Sequence, residues 1–261
     1  MSWVALMYHD VQPNPPARTG GPGRFTVSRA SFELMLDVIT AAGYEGCSLE
    51  TARGAKGSRR VAITFDDGTI GQYEHAAPAL RARRMTATFF VVTDWVGTSG
   101  FMSWDQLREI KKWGMSIQSH SKSHPHLSGL TEAALHGELD ESRRQIDAEL
   151  VQRTTEIALP GGNAPRLHLR KVLWESGYEA VAGSRWGSNR DRSGGAPRRI
   201  RRCNVPREID NDLALRIVSG DRRLVLRHYP REAVLNGARA LLGADRYARW
   251  RRGVLNVLAH F

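Results

Sequence analysis

Val61-Ala62-Ile63-Thr64-Phe65-Asp66-Asp67-Gly68 places two adjacent carboxylates at the end of a strand-forming apolar run. Val61, Ile63 and Phe65 favour an extended chain, and Gly68 permits a turn just beyond the acids. Burying two carboxylates is costly unless a metal, a basic partner or hydrogen bonds compensate. In a continuing strand, Asp66 and Asp67 would point to opposite faces. A bend at the strand end relaxes that alternation, so that one acid can meet a metal while the other stands beside water. Capping of the following turn is the alternative use of the pair.

A second polar cluster, His120-Ser121-Lys122-Ser123-His124, follows the short hydrophobic segment from Met115 to Gln118. His120 and His124 would share one face of a helix, and Pro125 makes a tight loop an equally good carrier. Either arrangement brings two imidazoles to one ion. One Asp and two His ligands suit zinc, nickel, cobalt or iron and leave positions for water and substrate. Both clusters follow a strand, which puts them on the same face of a β/α barrel.

Strand-sized runs recur at Trp3 to Tyr8, Thr86 to Val92, Glu156 to Leu159 and Tyr178 to Ala182, with Arg201 to Val205 as a seventh candidate. Several are nearly continuous apolar runs, as in parallel strands covered on both faces. Helical patterns lie between them. Ser31 is a candidate cap for a helix containing Phe32, Met35, Leu36 and Ile39. Ser103 and Gln106 have capping-box spacing, and residues 131–150 read as a long amphipathic helix. The pattern predicts an α/β fold, a distorted β/α barrel over residues 1–230 with a basic helical extension over 231–261. Residues 13–22 and 183–197 read as rim loops.

The chain has 261 residues, 41% hydrophobic and 25% charged, with a formal net charge of +11. That length supports one large domain. Cys47 and Cys203 do not form a metal-binding pair or a disulfide framework. The basic charge suits attraction to anionic glycans, glycolipid phosphate or a membrane surface, and solvated surface arginines are its ordinary alternative. No zinc-finger spacing accompanies it, and no specific nucleic-acid partner is expected. With no signal-length apolar start and no membrane-spanning run, the reading is cytoplasmic, peripheral to the inner face of the membrane.

Thr64-Phe65-Asp66-Asp67-Gly68 together with His120-Ser121-Lys122-Ser123-His124-Pro125 resembles the polysaccharide deacetylase family, carbohydrate esterase family 4 with its NodB-homology fold. Ala5-Leu6-Met7-Tyr8-His9-Asp10-Val11, Ala87 to Val92 and Met102 to Leu107 extend the likeness over residues 3–205. The resemblance implies a distorted (β/α)7 barrel that removes acetyl groups from N-acetylated sugars. It implies that Asp67, His120 and His124 hold one divalent ion, zinc first and nickel, cobalt or iron as alternatives, while Asp66 is the general base. Such an ion would acidify water and polarise the acetyl carbonyl.

Ala158-Leu159-Pro160-Gly161-Gly162 resembles the family's rim segment, but Ala158 stands where many members carry the arginine that orders the base. Arg185 or another nearby arginine is the expected substitute. Leu226-Arg227-His228 matches the family's late histidine motif and makes His228 the candidate general acid. His9, at the end of the opening strand, is a supporting partner or an alternative acid. Pro160, Gly161, Gly162, Arg185, Trp186 and Asn189 are the substrate-contact candidates, and Trp95, Phe101 and Trp104 are further aromatic surfaces for a sugar. The expected substrate is an N-acetylated glycan or glycolipid precursor. A noncatalytic glycan-binding barrel and a hydrolase of nonsugar amides are the competing functions.

Overall fold

The apolar runs form the parallel strands of a nearly closed ring. The computed structural model describes residues 2–15, 25–54, 59–162, 167–190 and 198–224. In chain order the strands are β1 (Ser2–Tyr8), β2 (Asp10–Gln12), β3 (Thr26–Ser28), β4 (Glu45–Cys47), β5 (Arg60–Phe65), β6 (Thr88–Val91), β7 (Ser116–Ser119), β8 (Glu156–Ala158), β9 (Ala180–Ala182), β10 (Asn189–Arg190), β11 (Arg198–Ile200) and β12 (Cys203–Asn204). β1, β5, β6, β7, β8, β9 and β11 neighbour one another in that order, each pair parallel. β12 pairs in parallel with the other side of β1. β11 and β12 are separated only by Arg201 and Arg202. They behave as two halves of one broken seventh strand, one half on β9 and the other on β1, and this break is the distortion of the barrel.

Strand alternation sorts the two faces. Ala5, Ala62, Phe90, Ala158, Ala180, Ala182 and Ile200 belong to one buried cluster, inside the ring. The neighbours Ile157 and Val181 instead join Leu135, Leu139, Val172 and Leu173 beneath the helices. The alanines are a physical requirement of the small ring, since a narrow closed sheet has little interior volume for side chains.

The helices are α1 (Arg29–Ala41), α2 (Leu49–Gly54), α3 (Ala77–Ala82), α4 (Trp104–Lys112), α5 (Glu132–Leu150), α6 (Leu167–Glu175) and α7 (Asn211–Val218). α1 buries Phe32, Met35, Leu36 and Ile39 as its spacing predicts, but Ser28 caps it, with Ser31 N donating to Ser28 Oγ. Ser31 lies already inside the first turn. The capping box at Ser103 and Gln106 is formed in full. Thr131 caps α5, which ends at a left-handed Val151.

Met1–Gly220 is one compact unit and Asp221–Phe261 a second. The helical extension expected over 231–261, and His228, lie outside the described residues. Among the described residues no helix is long and apolar enough to cross a membrane.

Candidate metal centre

β5 ends at Phe65, and the two acids after it diverge for a backbone reason. Ala62 and Thr64 face the ring interior, and Asp66 continues that alternation into a buried position. Asp67 has φ 76° and Gly68 φ 80°. The left-handed turn at Asp67 breaks the alternation, so the second carboxylate stays at the barrel mouth instead of passing to the outer face. A Cβ on Gly68 would lie 3.1 Å from Val91, so this position combines a special backbone angle with little room.

His120 and His124 sit on a tight loop and not on a helix. Ser121 and His124 both have left-handed φ, 67° and 64°. Three of the five left-handed non-glycine residues described thus cluster at this mouth, as strained backbone does at functional sites. Side chains hold the loop in that shape. Ser121 N donates to Ser119 Oγ, and His124 N donates to Ser121 Oγ. Glu138 on α5 accepts from Lys122 N at 3.0 Å, Ser123 N at 2.9 Å and Ser123 Oγ at 2.5 Å.

The result is a convergent donor set. Asp67 Oδ1 lies 3.4 Å from His120 Nε2 and 3.6 Å from His124 Nε2. Two ligands bound at ~2.1 Å to a tetrahedral ion are ~3.4 Å apart. Asp67 Oδ1 is buried and has no hydrogen-bond partner, so it is an orphaned anion-bearing atom facing two imidazole nitrogens. His120 Nδ1 lies 2.8 Å from the Ala158 carbonyl. Donation there leaves the Nε2 lone pair turned toward Asp67, the tautomer a metal ligand needs. The trio therefore fits a divalent cation.

The electrostatics agree. Burial, reinforced by the charge of His120, pushes the His124 imidazole down to about 4, which keeps it neutral as a ligand must be. Burial pulls His120 the same way, but Asp66 and Asp67 overcome it and raise its pKa. Burial would raise the Asp67 carboxyl, and the close approach and charge of the His120 imidazole reverse that. A proton on His120 and a cation between the three residues satisfy the same unpaired carboxylate.

Asp66 has a different partner. Arg202 Nη1 donates to Asp66 Oδ1 at 2.5 Å and Nη2 to Oδ2 at 2.7 Å, in a buried two-point pair. Burial alone would raise the Asp66 carboxyl, but the Arg202 guanidinium and His120 hold it well below the usual carboxylate range. The main chain of Asp66 is fixed as well. Gln72 Nε2, within the π-turn Gln72–Ala76, donates to the carbonyls of His9 and Asp66 at 2.5 and 2.6 Å, tying the ends of β1 and β5 together. His9 stacks on Phe25 at 4.7 Å and keeps an enclosed Nδ1 without a hydrogen bond. Its pKa is lowered by burial against the opposing pull of Asp66 and Asp67.

Known proteins share this arrangement of sequence and fold. The family described as Polysaccharide deacetylase matches residues 53–181. A Bacillus subtilis (strain 168) protein named "Putative polysaccharide deacetylase YxkH" is 30% identical over 203 residues, covering 75% of this chain and 70% of that protein. The chain belongs to the polysaccharide deacetylase family. The Streptococcus pyogenes deacetylase PplD, solved in complex with acetate, superposes with a TM-score of 0.72 at 25% identity, over 84% of this chain and 98% of that one. A poly-β-1,6-N-acetyl-D-glucosamine N-deacetylase of Staphylococcus aureus (strain MRSA252) is 26% identical over 157 residues, 53% of this chain and 54% of its own. Family membership and the Asp–His trio together make this chain a metal-dependent deacetylase.

The rim of this deacetylase is only partly what its sequence predicts. Pro160, Gly161 and Gly162 form a short turn in which both glycines have left-handed φ. A side chain on Gly162 would collide with Ser184, so the turn packs tightly on the segment after β9. Arg185 is exposed, and its carbonyl accepts from Arg202 N at 3.1 Å. Trp186 is 8% exposed, which leaves little of its ring for a sugar. Asn189 bonds the main chain of Arg201 through both ends of its amide, at 2.9 Å each, and so braces the broken strand. Trp95 is half-buried with its ring centroid 5.1 Å from that of His124, placing an aromatic surface directly beside the trio. Arg202 was not among the expected site residues. Its two-residue spacing from the inward-facing Ile200 is the sequence signal that places it inside.

Proposed function

We propose that this deacetylase hydrolyses the N-acetyl group of an amino sugar within a glycan or glycolipid precursor, with Asp67, His120 and His124 holding one divalent transition metal and Asp66 taking the proton from water. Zinc is the first choice for that ligand set, with nickel, cobalt or iron as alternatives. The observation that carries the reading is the buried Asp67 Oδ1, unpartnered and facing both Nε2 atoms, with a second, ionised carboxylate next to it in the chain.

When bound, the ion supplies Lewis acidity to the acetyl carbonyl and to water. This chain's own residues do the rest. His120 keeps its Nε2 lone pair directed at the site through the Ala158 carbonyl. Asp66 accepts a proton on a carboxylate oxygen whose position is fixed, so little reorganisation accompanies the transfer. For the proton that the departing amine requires, two imidazoles are proposed. His228 has the support of the Leu226-Arg227-His228 motif, and His9 that of an enclosed nitrogen close to both acids. Trp95, the Pro160–Gly162 turn and Arg185 are proposed to receive the sugar, and Trp186 and Asn189 to shape that loop. The net charge of +11 supports an anionic substrate, reached at the cytoplasmic face of a membrane.

The test is acetate release from N-acetylglucosamine oligomers by metal-loaded protein. Wild type should release acetate and Asp66→Asn should lose at least ~100-fold in kcat. Binding of the oligomers without acetate release would favour a noncatalytic glycan binder. Turnover confined to nonsugar amides would move the substrate class.

A further inference from the structure

Arg202 is completely buried, the bulkiest side chain so enclosed among the described residues. Besides its two bonds to Asp66, Nη1 donates to Thr64 Oγ1 at 3.2 Å and Nε donates to the Gly183 carbonyl at 2.8 Å. Its guanidinium carbon lies 5.5 Å from the centre of the Phe90 ring. Four of the five guanidinium N–H donors thus have acceptors: two bonds go to the acid, one to the strand that carries the acid and one to the carbonyl that follows β9. A buried charge so completely engaged is a costly construction if its only task is packing, because apolar residues of like volume fill a core as well or better.

The break in the seventh strand is what delivers it. β11 stops at Ile200 on β9, β12 resumes at Cys203 on β1, and Arg202 between them extends inward across the seam. Its main-chain N–H, which no strand partner takes at the break, is satisfied by the Arg185 carbonyl. On β8, Ala158 is fully buried and its carbonyl orients His120, so the backbone at 158 serves the metal ligand.

We infer that Arg202, supplied from the seam of the barrel, is the positioning residue for Asp66, holding both carboxylate oxygens in the orientation from which one of them takes the proton from water. The inference rests on Asp66 being the proton acceptor proposed above. It divides the two neighbouring acids by their partners: Asp66 is neutralised by a fixed guanidinium, and Asp67 keeps its charge for the ion.

The experiment compares wild type with Arg202→Met, Arg202→Ala and Arg202→Lys, using acetate release from an N-acetylglucosamine tetramer, cobalt(II) stoichiometry and the visible spectrum of the cobalt-loaded protein. Arg202→Met should lower kcat at least 100-fold, leave KM within threefold and leave the cobalt spectrum unchanged. Guanidinium added at millimolar concentration to Arg202→Ala should recover at least tenfold of the lost kcat. Arg202→Lys, which keeps the charge and secures folding, should fall between wild type and Arg202→Met. A folded variant with kcat within threefold of wild type overturns the inference, as does Arg202→Ala that guanidinium does not rescue. Loss of cobalt binding in Arg202→Lys also overturns it, since the residue would then be supporting the metal site. If Asp66→Asn itself keeps wild-type turnover, it is the assignment of the base that fails.

Discussion

Glu138 receives three donors from residues 122 and 123 and so fixes the loop that presents His124, although it lies in neither the ligand set nor the barrel interior. Outer partners of this kind set ligand orientation, and their loss typically costs 10–100-fold in metal affinity. Glu138→Ala should therefore weaken zinc binding by about that factor in calorimetric titration, with the wild-type fold retained; an unchanged Kd would show that Ser121 alone holds the loop. The three residues that converge at the mouth were legible in the sequence, but the carrier of the two histidines was not. Four-residue spacing serves a helix or a loop equally, and the left-handed φ at Ser121 and His124 that decides for the loop is not set by residue type alone. Arg202 was hidden for a different reason. Arg198-Arg199-Ile200-Arg201-Arg202 looks like a solvated basic run until Ile200 is known to face inward.

β8 carries chemistry at both ends. Its last residue, Ala158, orients His120, while its first, Glu156, lies buried far down the strand with Oε1 3.3 Å from Arg53 Nε and no hydrogen bond to either carboxylate oxygen. Burial, opposed by Arg53 and aided by Glu50 and Glu179, pushes Glu156 up to about 7 from its ordinary 4.5. Between those pH values the folded chain keeps a proton that the unfolded chain has released, so this residue's contribution is full below about pH 4.5 and fades as pH rises through 7. At ~1.4 kcal/mol per pH unit the loss amounts to ~3 kcal/mol. Urea unfolding of Glu156→Gln and wild type at pH 5 and pH 7.5 should show the variant gaining on wild type by roughly that amount at the higher pH. Parallel pH profiles would mean that Arg53 keeps Glu156 ionised throughout. The strand itself was plain from its apolar pattern; a lone buried glutamate at its start was not, because one polar residue carries no periodic signal.

Over the whole ring, repeated strand and helix grammar made the β/α barrel legible, including a weak seventh strand over Arg201 to Val205. That weakness has a physical meaning, since the strand is two short pieces serving different neighbours. Closing a seven-strand ring through a break leaves room for an arginine at the seam and demands alanines elsewhere inside. The two charged ends of this interior are thereby separated: Glu156 and Arg53 at one end, Asp66, Arg202 and the Asp67–His120–His124 trio at the other. Family membership and this geometry converge on one centre at the barrel mouth.

Anomalous X-ray scattering from crystals of the zinc-loaded protein tests that centre most directly. A single ion should lie ~2.0–2.2 Å from Asp67 Oδ1, His120 Nε2 and His124 Nε2, with Asp66 still paired to Arg202 and within hydrogen-bond reach of a coordinated water. Zinc bound elsewhere, or Asp66 swung into the coordination shell in place of Asp67, would contradict the account.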